Sequence, residues 1–211
     1  MFFNYFFTNM SEKESTKELL GFTNEEAGQL VDKYIKDEII KLHLIETEAI
    51  MRSLAKHFEE DEDVWGMVGL LHDLDWDLTK NNPKEHCTRV VEILKDEGAT
   101  EYLIETIISH AYGHDLNENY KSKQREGKIQ FSLAAAETLT GLIVASALVQ
   151  PDKKLESVKL KSLKKKFKAR AFAANCDREI IRECEKTDIE LGDFLEIGLK
   201  SLQSISDRLG M

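Results

Sequence analysis

The chain has 211 residues and a formal charge of −10, with Lys+Arg 29 against Asp+Glu 39. Its 42% hydrophobic and 32% charged residues exclude a disordered tail and a membrane-embedded chain, and the acidic balance disfavours a general nucleic-acid binder. With only 11 Gly and 2 Pro, the composition suits long helices rather than a turn-rich sandwich or barrel.

The opening segment from Met1 to Phe7 is apolar but short. It lacks a basic start, a long apolar stretch and a small-residue cleavage site, so no signal peptide is expected. Residues 1–22 read as an N-terminal extension, and residues 23–211 as one domain without an internal linker. Thr23 and Glu26 have capping-box spacing and open a helix near residue 24, with Leu30, Val31, Tyr34 and Ile35 at helical intervals. Ile39 to Phe58 continues as an amphipathic helix, and Val64 to Leu74 as a more apolar, buried one. Asn81-Asn82-Pro83 breaks the chain, and Pro83 suits the first turn of the next helix, which Gly98 ends. Thr100 caps a further helix through Ile108. A polar loop runs from Gly113 to about Lys128. Phe131 to Val149 is rich in Ala and Leu and predicts the central buried helix, and a last helix runs from about Leu191 to Leu209. No run of apolar residues reaches the roughly 18–20 needed to cross a bilayer. No strand alternation is sustained, so the class is all-α, with eight to ten helices.

Cys87, Cys176 and Cys184 form no CxxC pair. An odd, unpaired set of cysteines fits structural thiols in a reducing cytoplasm, with Cys87 beside His86 the one weighed as a nucleophile.

The chemistry is concentrated in histidines. Of six, His43, His72, His86 and His110 sit in or beside apolar helical segments. A single buried histidine is ordinarily structural, and a His-Asp dipeptide is weak evidence. This chain has two such dipeptides, His72-Asp73 and His114-Asp115, and the second, in the polar loop, reads as accidental. Several ligand-type residues on successive apolar helices carry more weight, because a divalent cation wants imidazole and carboxylate converging in a low-dielectric pocket. Asp75 and Asp77 follow the His-Asp pair closely and are candidates for local proton transfer, with Asp75 also suited to orienting an imidazole ligand. Residues 153–170 hold nine Lys/Arg and one acid, against 20 basic and 38 acidic residues elsewhere. That window suits a phosphate clamp or the solvated face of an amphipathic helix, with Lys164, Lys165, Lys166, Lys168 and Arg170 at its centre.

These residues resemble a known family. His43, then His72-Asp73, then an acidic residue on a later helix is similar to the HD-domain superfamily of metal-dependent phosphohydrolases. Leu70 to Trp76, Ile108-Ser109-His110, Leu139 to Ile143 with Pro151, and Lys164 to Lys168 together resemble a bacterial HD-hydrolase subfamily, over roughly residues 25–205. The resemblance implies a single-domain HD-type helical bundle. It implies metal ligation by His43, His72 and Asp73, with Glu137 at the position where the family carries its final Asp. His86 and His110 fill the further ligand roles of members with two metals, although those members often show paired histidines where this chain has His110-Ala111. The cofactor is one or two divalent ions among Mn, Mg, Fe, Co, Ni and Zn. Asp73, Asp75 and Asp77 are the catalytic candidates, and Lys164, Lys165, Lys168 and Arg170 the substrate-binding ones. The expected activity is hydrolysis of a small phosphorylated molecule, a nucleotide among the candidates. The alternatives are a degenerate module that binds a nucleotide or a metal, and a di-iron oxygenase on the same fold. Neither a nucleic-acid duplex nor a membrane is expected as partner. The aromatic N-terminus and the C-terminal helix offer surfaces for a homo-oligomer.

Overall fold

The computed structural model describes residues 12–113 and 117–211. The expectations for Met1–Phe7 and for His114-Asp115 lie outside the described residues. Within them the chain is helical, with no strand.

In chain order the helices are α1 (Glu12–Leu20), α2 (Asn24–Tyr34), α3 (Glu38–Phe58), α4 (Glu62–Leu71), α5 (Trp76–Thr79), α6 (Thr88–Glu97), α7 (Glu101–Ile108), α8 (Lys128–Leu148), α9 (Leu160–Lys168), α10 (Arg178–Arg182), α11 (Leu191–Ser204) and α12 (Ser206–Leu209). Their starts follow side-chain chemistry. Thr23 and Glu26 form the complete capping box of α2, while Asp37, Asp61 and Thr100 accept the first free N–H groups of α3, α4 and α7. Gly98 ends α6 at φ 94°, a conformation that glycine adopts without a Cβ penalty.

α3 and α8 form the axis. α3 packs on α4, α8 and α11, and α8 also meets α10 and the 3₁₀ turn Glu183–Thr187. α8 is long and apolar enough to cross a membrane by length and composition, which corrects the reading that no run reaches that length. Here 61% of its most apolar window is buried, and Leu139, Leu142 and Ile143 are fully enclosed. Each such aliphatic contributes roughly 1.5–3 kcal/mol of burial. α4 lies unusually close to α3: a Cβ at Gly69 would stand 3.0 Å from the backbone of Thr47 and Glu48. That approach brings the end of α4 against His43's helix.

Three local expectations change. The Val64–Leu74 helix stops at Leu71, and residues 72–75 form a turn. Pro83 opens a separate 3₁₀ turn, Pro83–Glu85, and α6 begins only at Thr88, so His86 lies outside a helix. The C-terminal helix breaks at Ile205. α1 docks at its end, with Leu20 buried and Thr100 donating to the carbonyls of Leu19 and Leu20.

Candidate metal centre

Four histidines from four places in the chain converge on one carboxylate. His43 comes from the middle of α3 and His72 from the turn after α4. His86 comes from the junction before α6, and His110 from the 3₁₀ turn after α7. Asp73 lies among them, 9% exposed. Its Oδ1 is 3.6 Å from His72 Nε2, 3.4 Å from His86 Nε2 and 3.3 Å from His110 Nε2, and its Oδ2 is 3.9 Å from His43 Nε2.

The outer nitrogen of each ring is engaged by an oxygen. His72 Nδ1 donates to the carbonyl of Gly69 (2.8 Å), and His110 Nδ1 to that of Ile107 (2.6 Å). His86 Nδ1 donates to Asp75 Oδ1 (2.8 Å). His43 Nδ1 meets Thr140 Oγ1 at 3.1 Å, and that hydroxyl already donates to the carbonyl of Glu137. Carbonyl and carboxylate oxygens only accept, so these contacts place a proton on Nδ1 and turn Nε2 inward toward Asp73. The Nε2 atoms approach in pairs, His43 to His72 at 3.2 Å and His86 to His110 at 3.2 Å. At that distance each pair needs shared positive charge, a proton or a metal ion.

The charges point the same way. Burial pushes His72 down to about 3, so it is neutral. Burial opposes a charge on His86 and His110 too, yet Asp73, helped by Asp75, raises His86, and Cys87, helped by Asp73, raises His110. Burial alone would raise Asp73; the imidazoles of His72 and His86 outweigh it and hold the carboxyl well below its usual range. The space between the rings therefore attracts positive charge. Two groups of ligand atoms converge within 4.8 Å of one another: His43, His72 and Asp73, and His86, Cys87 and His110.

Asp75 is fully buried. Besides His86, it accepts the backbone N–H groups of Cys87 (2.9 Å) and Val90 (3.0 Å) through Oδ2. It orients a ring and caps α6 from outside that helix. Asp77 is not in the cluster. Its carboxylate holds Lys80 (2.8 Å) and the N–H groups of Lys36 and Asp37, and these, Lys80 foremost, hold it down to about 2. Glu137 faces the same pocket without joining either converging group; its Oε1 accepts from Thr138 Oγ1 at 2.5 Å. Burial raises its carboxyl above the ordinary range, against the pull of His110 and His43.

The basic window lies elsewhere. Lys164, Lys165 and Lys168 line an open depression with Leu160 and Lys161, and it shares no residue with the histidine pocket. Arg170 is exposed and pairs with Glu179 at 2.7 Å. Arg178 spends its guanidinium on the carbonyls of Phe167, Phe172, Ala173 and Cys176.

Three residues support the site in roles that the sequence does not assign to them, Tyr120 reading there as a stacking or packing residue. Arg125 is enclosed, donating to the carbonyls of Ser109 (2.9 Å), His110 (3.1 Å) and Tyr112 (2.8 Å) and to Glu183 (2.5 Å), and so fixes the turn that presents His110. Asn117 donates to the carbonyl of His86, and Tyr120 to that of Cys87. All three sit in what reads as a polar loop, where only an excess of chain between two apolar helices hinted at a task.

The histidine pocket encloses about 230 Å³, with Trp76, Pro83, Ala111 and Asn117 completing its wall. Trp76 stands edge-on to His86, ring centres 5.3 Å apart. A family model described as HD domain matches residues 41–147, which is 107 of the 211 residues and contains every residue of both converging groups. No curated protein and no solved structure matches the chain. The chain belongs to the HD domain family.

Proposed function

We propose that this protein is a metal-dependent phosphohydrolase acting on a small phosphorylated molecule. The observation that carries the reading is the convergence of four imidazole Nε2 atoms on Asp73 at the wall of a small pocket. Imidazole with carboxylate suits a first-row divalent ion such as Mn, Fe, Co, Ni or Zn better than Mg. A cation in this pocket supplies Lewis acidity toward a phosphoryl oxygen and a water that ionises near neutral pH.

The remaining work falls to the chain. His43, His72 and Asp73 would hold the ion, and Asp73 Oδ1 faces the His86 and His110 side as well. Asp75 keeps His86 in the tautomer that leaves Nε2 free. Glu137 lines the pocket with Asp73, His86 and His110 and is the candidate to donate a proton to the leaving group. Trp76 closes one side against water. A volume of about 230 Å³ admits a phosphate and a small attached group, so a larger leaving group extends past the rim. The lysines of α9 act by steering an anion from a distance rather than by gripping it.

The test is metal content and phosphate release on one metal-reconstituted preparation, with nucleotides, sugar phosphates and an aryl phosphate as substrates. Bound metal, with release that disappears in Asp73→Ala, supports the proposal. Bound metal with no release on any substrate favours the non-catalytic module, in which Glu137 serves binding only. Absence of metal under every loading condition overturns both.

A further inference from the structure

Cys87 belongs to the histidine cluster by position but has no part in the chemistry above. It is fully buried, and its Sγ lies 3.4 Å from His110 Nε2. His110 Nε2 is in turn 3.2 Å from His86 Nε2, and Asp73 Oδ1 is within 3.4 Å of both rings. Around a tetrahedral ion with ordinary zinc bond lengths, neighbouring ligand atoms stand about 3.3 Å apart for nitrogen pairs and about 3.6 Å for nitrogen with sulfur. These four separations are already close to those values.

The backbone is built to put the sulfur there. Cys87 has φ 65°, a left-handed conformation that a non-glycine residue adopts only when its surroundings insist. They do: its N–H donates to Asp75 Oδ2 (2.9 Å), its carbonyl accepts from the Tyr120 hydroxyl (3.1 Å), and the His86 carbonyl before it accepts from Asn117 (2.9 Å). Three side chains from two stretches of the chain thus hold one dipeptide. The effect is that His86 and Cys87, adjacent in sequence, aim both side chains at one point. A cysteine that only filled space would need none of this.

We infer that Cys87 is the sulfur ligand of a second cation subsite made by His86, Cys87 and His110, with Asp73 Oδ1 shared between it and the His43–His72–Asp73 subsite. The thiol proton leaves to solvent as the ion binds. A thiolate among imidazoles selects a thiophilic ion, Zn²⁺, Fe²⁺ or Co²⁺, over Mg²⁺ or Ca²⁺. The two subsites then differ in chemistry, one of nitrogen and oxygen, the other carrying sulfur. The inference rests on the metal-centre reading above.

The test loads the metal-free full-length chain with Co²⁺ and records its absorption, then loads it with Zn²⁺ and records X-ray absorption. The expected result is a thiolate-to-cobalt charge-transfer band in the near ultraviolet and a zinc–sulfur shell at about 2.3 Å. Both persist in Cys176→Ser/Cys184→Ala, whose cysteines join neither converging group. In Cys87→Ser the band vanishes and bound metal falls from two ions per chain to one, with helical circular dichroism unchanged. Cobalt bound with ligand-field bands but no thiolate band, in the unaltered chain, overturns the role of Cys87 and leaves the first subsite standing. No cobalt bound at all overturns both readings. Because the decisive spectra come from the native chain and from the variant that retains Cys87, the outcome does not depend on Cys87→Ser folding.

Discussion

The Nε2 atoms of His86 and His110 face each other at 3.2 Å while both Nδ1 atoms are tied to oxygen acceptors. The arrangement is held from behind, by Asp75 at one ring and by Arg125 and the Ile107 carbonyl at the other. A metal ion bound among these rings would tie their separate elements together, so binding and stability are coupled.

Metal removal is therefore expected to destabilise the fold. A free ion at 100 times its dissociation constant adds about 2.7 kcal/mol to the native state. Chelation should lower the melting temperature by several degrees, and restored metal should recover it. Unchanged melting curves with and without chelator would contradict the coupling.

Asp75 and Asp77 are two residues apart in sequence and differ completely in surroundings. Asp75→Asn swaps an acceptor for a donor facing the N–H groups of Cys87 and Val90, and it should weaken metal binding about 10–100-fold. Asp77→Asn should leave metal affinity and turnover as they are. Competition titration with a chromophoric chelator distinguishes the two; equal effects would deny Asp75 its orienting role.

Arg125→Ala leaves the Ser109, His110 and Tyr112 carbonyls short of a donor and Glu183 without its buried partner. The expected loss is about 3 kcal/mol in urea unfolding, accompanied by weaker metal binding through the displaced His110.

Glu46, one turn beyond His43 on α3, supplies a pH test. It is 6% exposed, and burial raises its carboxyl from 4.5 to about 7. Below 4.5 it is neutral in both folded and unfolded chains and carries no penalty. Between 4.5 and 7 the unfolded chain loses the proton first, so stability falls as pH rises. Above 7 the full penalty, about 3 kcal/mol, is present. Glu46→Gln should flatten that decline and stabilise the fold at pH 8 by a comparable amount. An equal pH slope in both proteins would show that Glu46 is not the group responsible.

If the α9 lysines steer substrate, Lys164→Ala/Lys165→Ala/Lys168→Ala should lower kcat/KM several-fold in dilute buffer and hardly at all at 1 M salt, where screening acts within about 3 Å. A salt-independent loss would instead mean direct contact.

Much of this was legible in the chain alone. Helical periodicity, the Thr23–Glu26 box and the scarcity of Gly and Pro determined the all-α class, because those signals are local and each helix reports its own buried face. His72-Asp73 at the end of an apolar run was a weak local hint of the pocket, and Glu137 was reached only through the resemblance to the HD family. Tertiary structure decided which of the polar residues meet. Asp75 and Asp77 look alike in sequence, yet the turn after α4 buries one and turns the other toward Lys80. Cys87 joins His110 across 23 positions only because the chain leaves the helix before Thr88, and Arg125 reaches the His110 carbonyl only because a loop folds back. Local pattern records what each residue prefers; convergence is a property of chain path, and no window of sequence contains it.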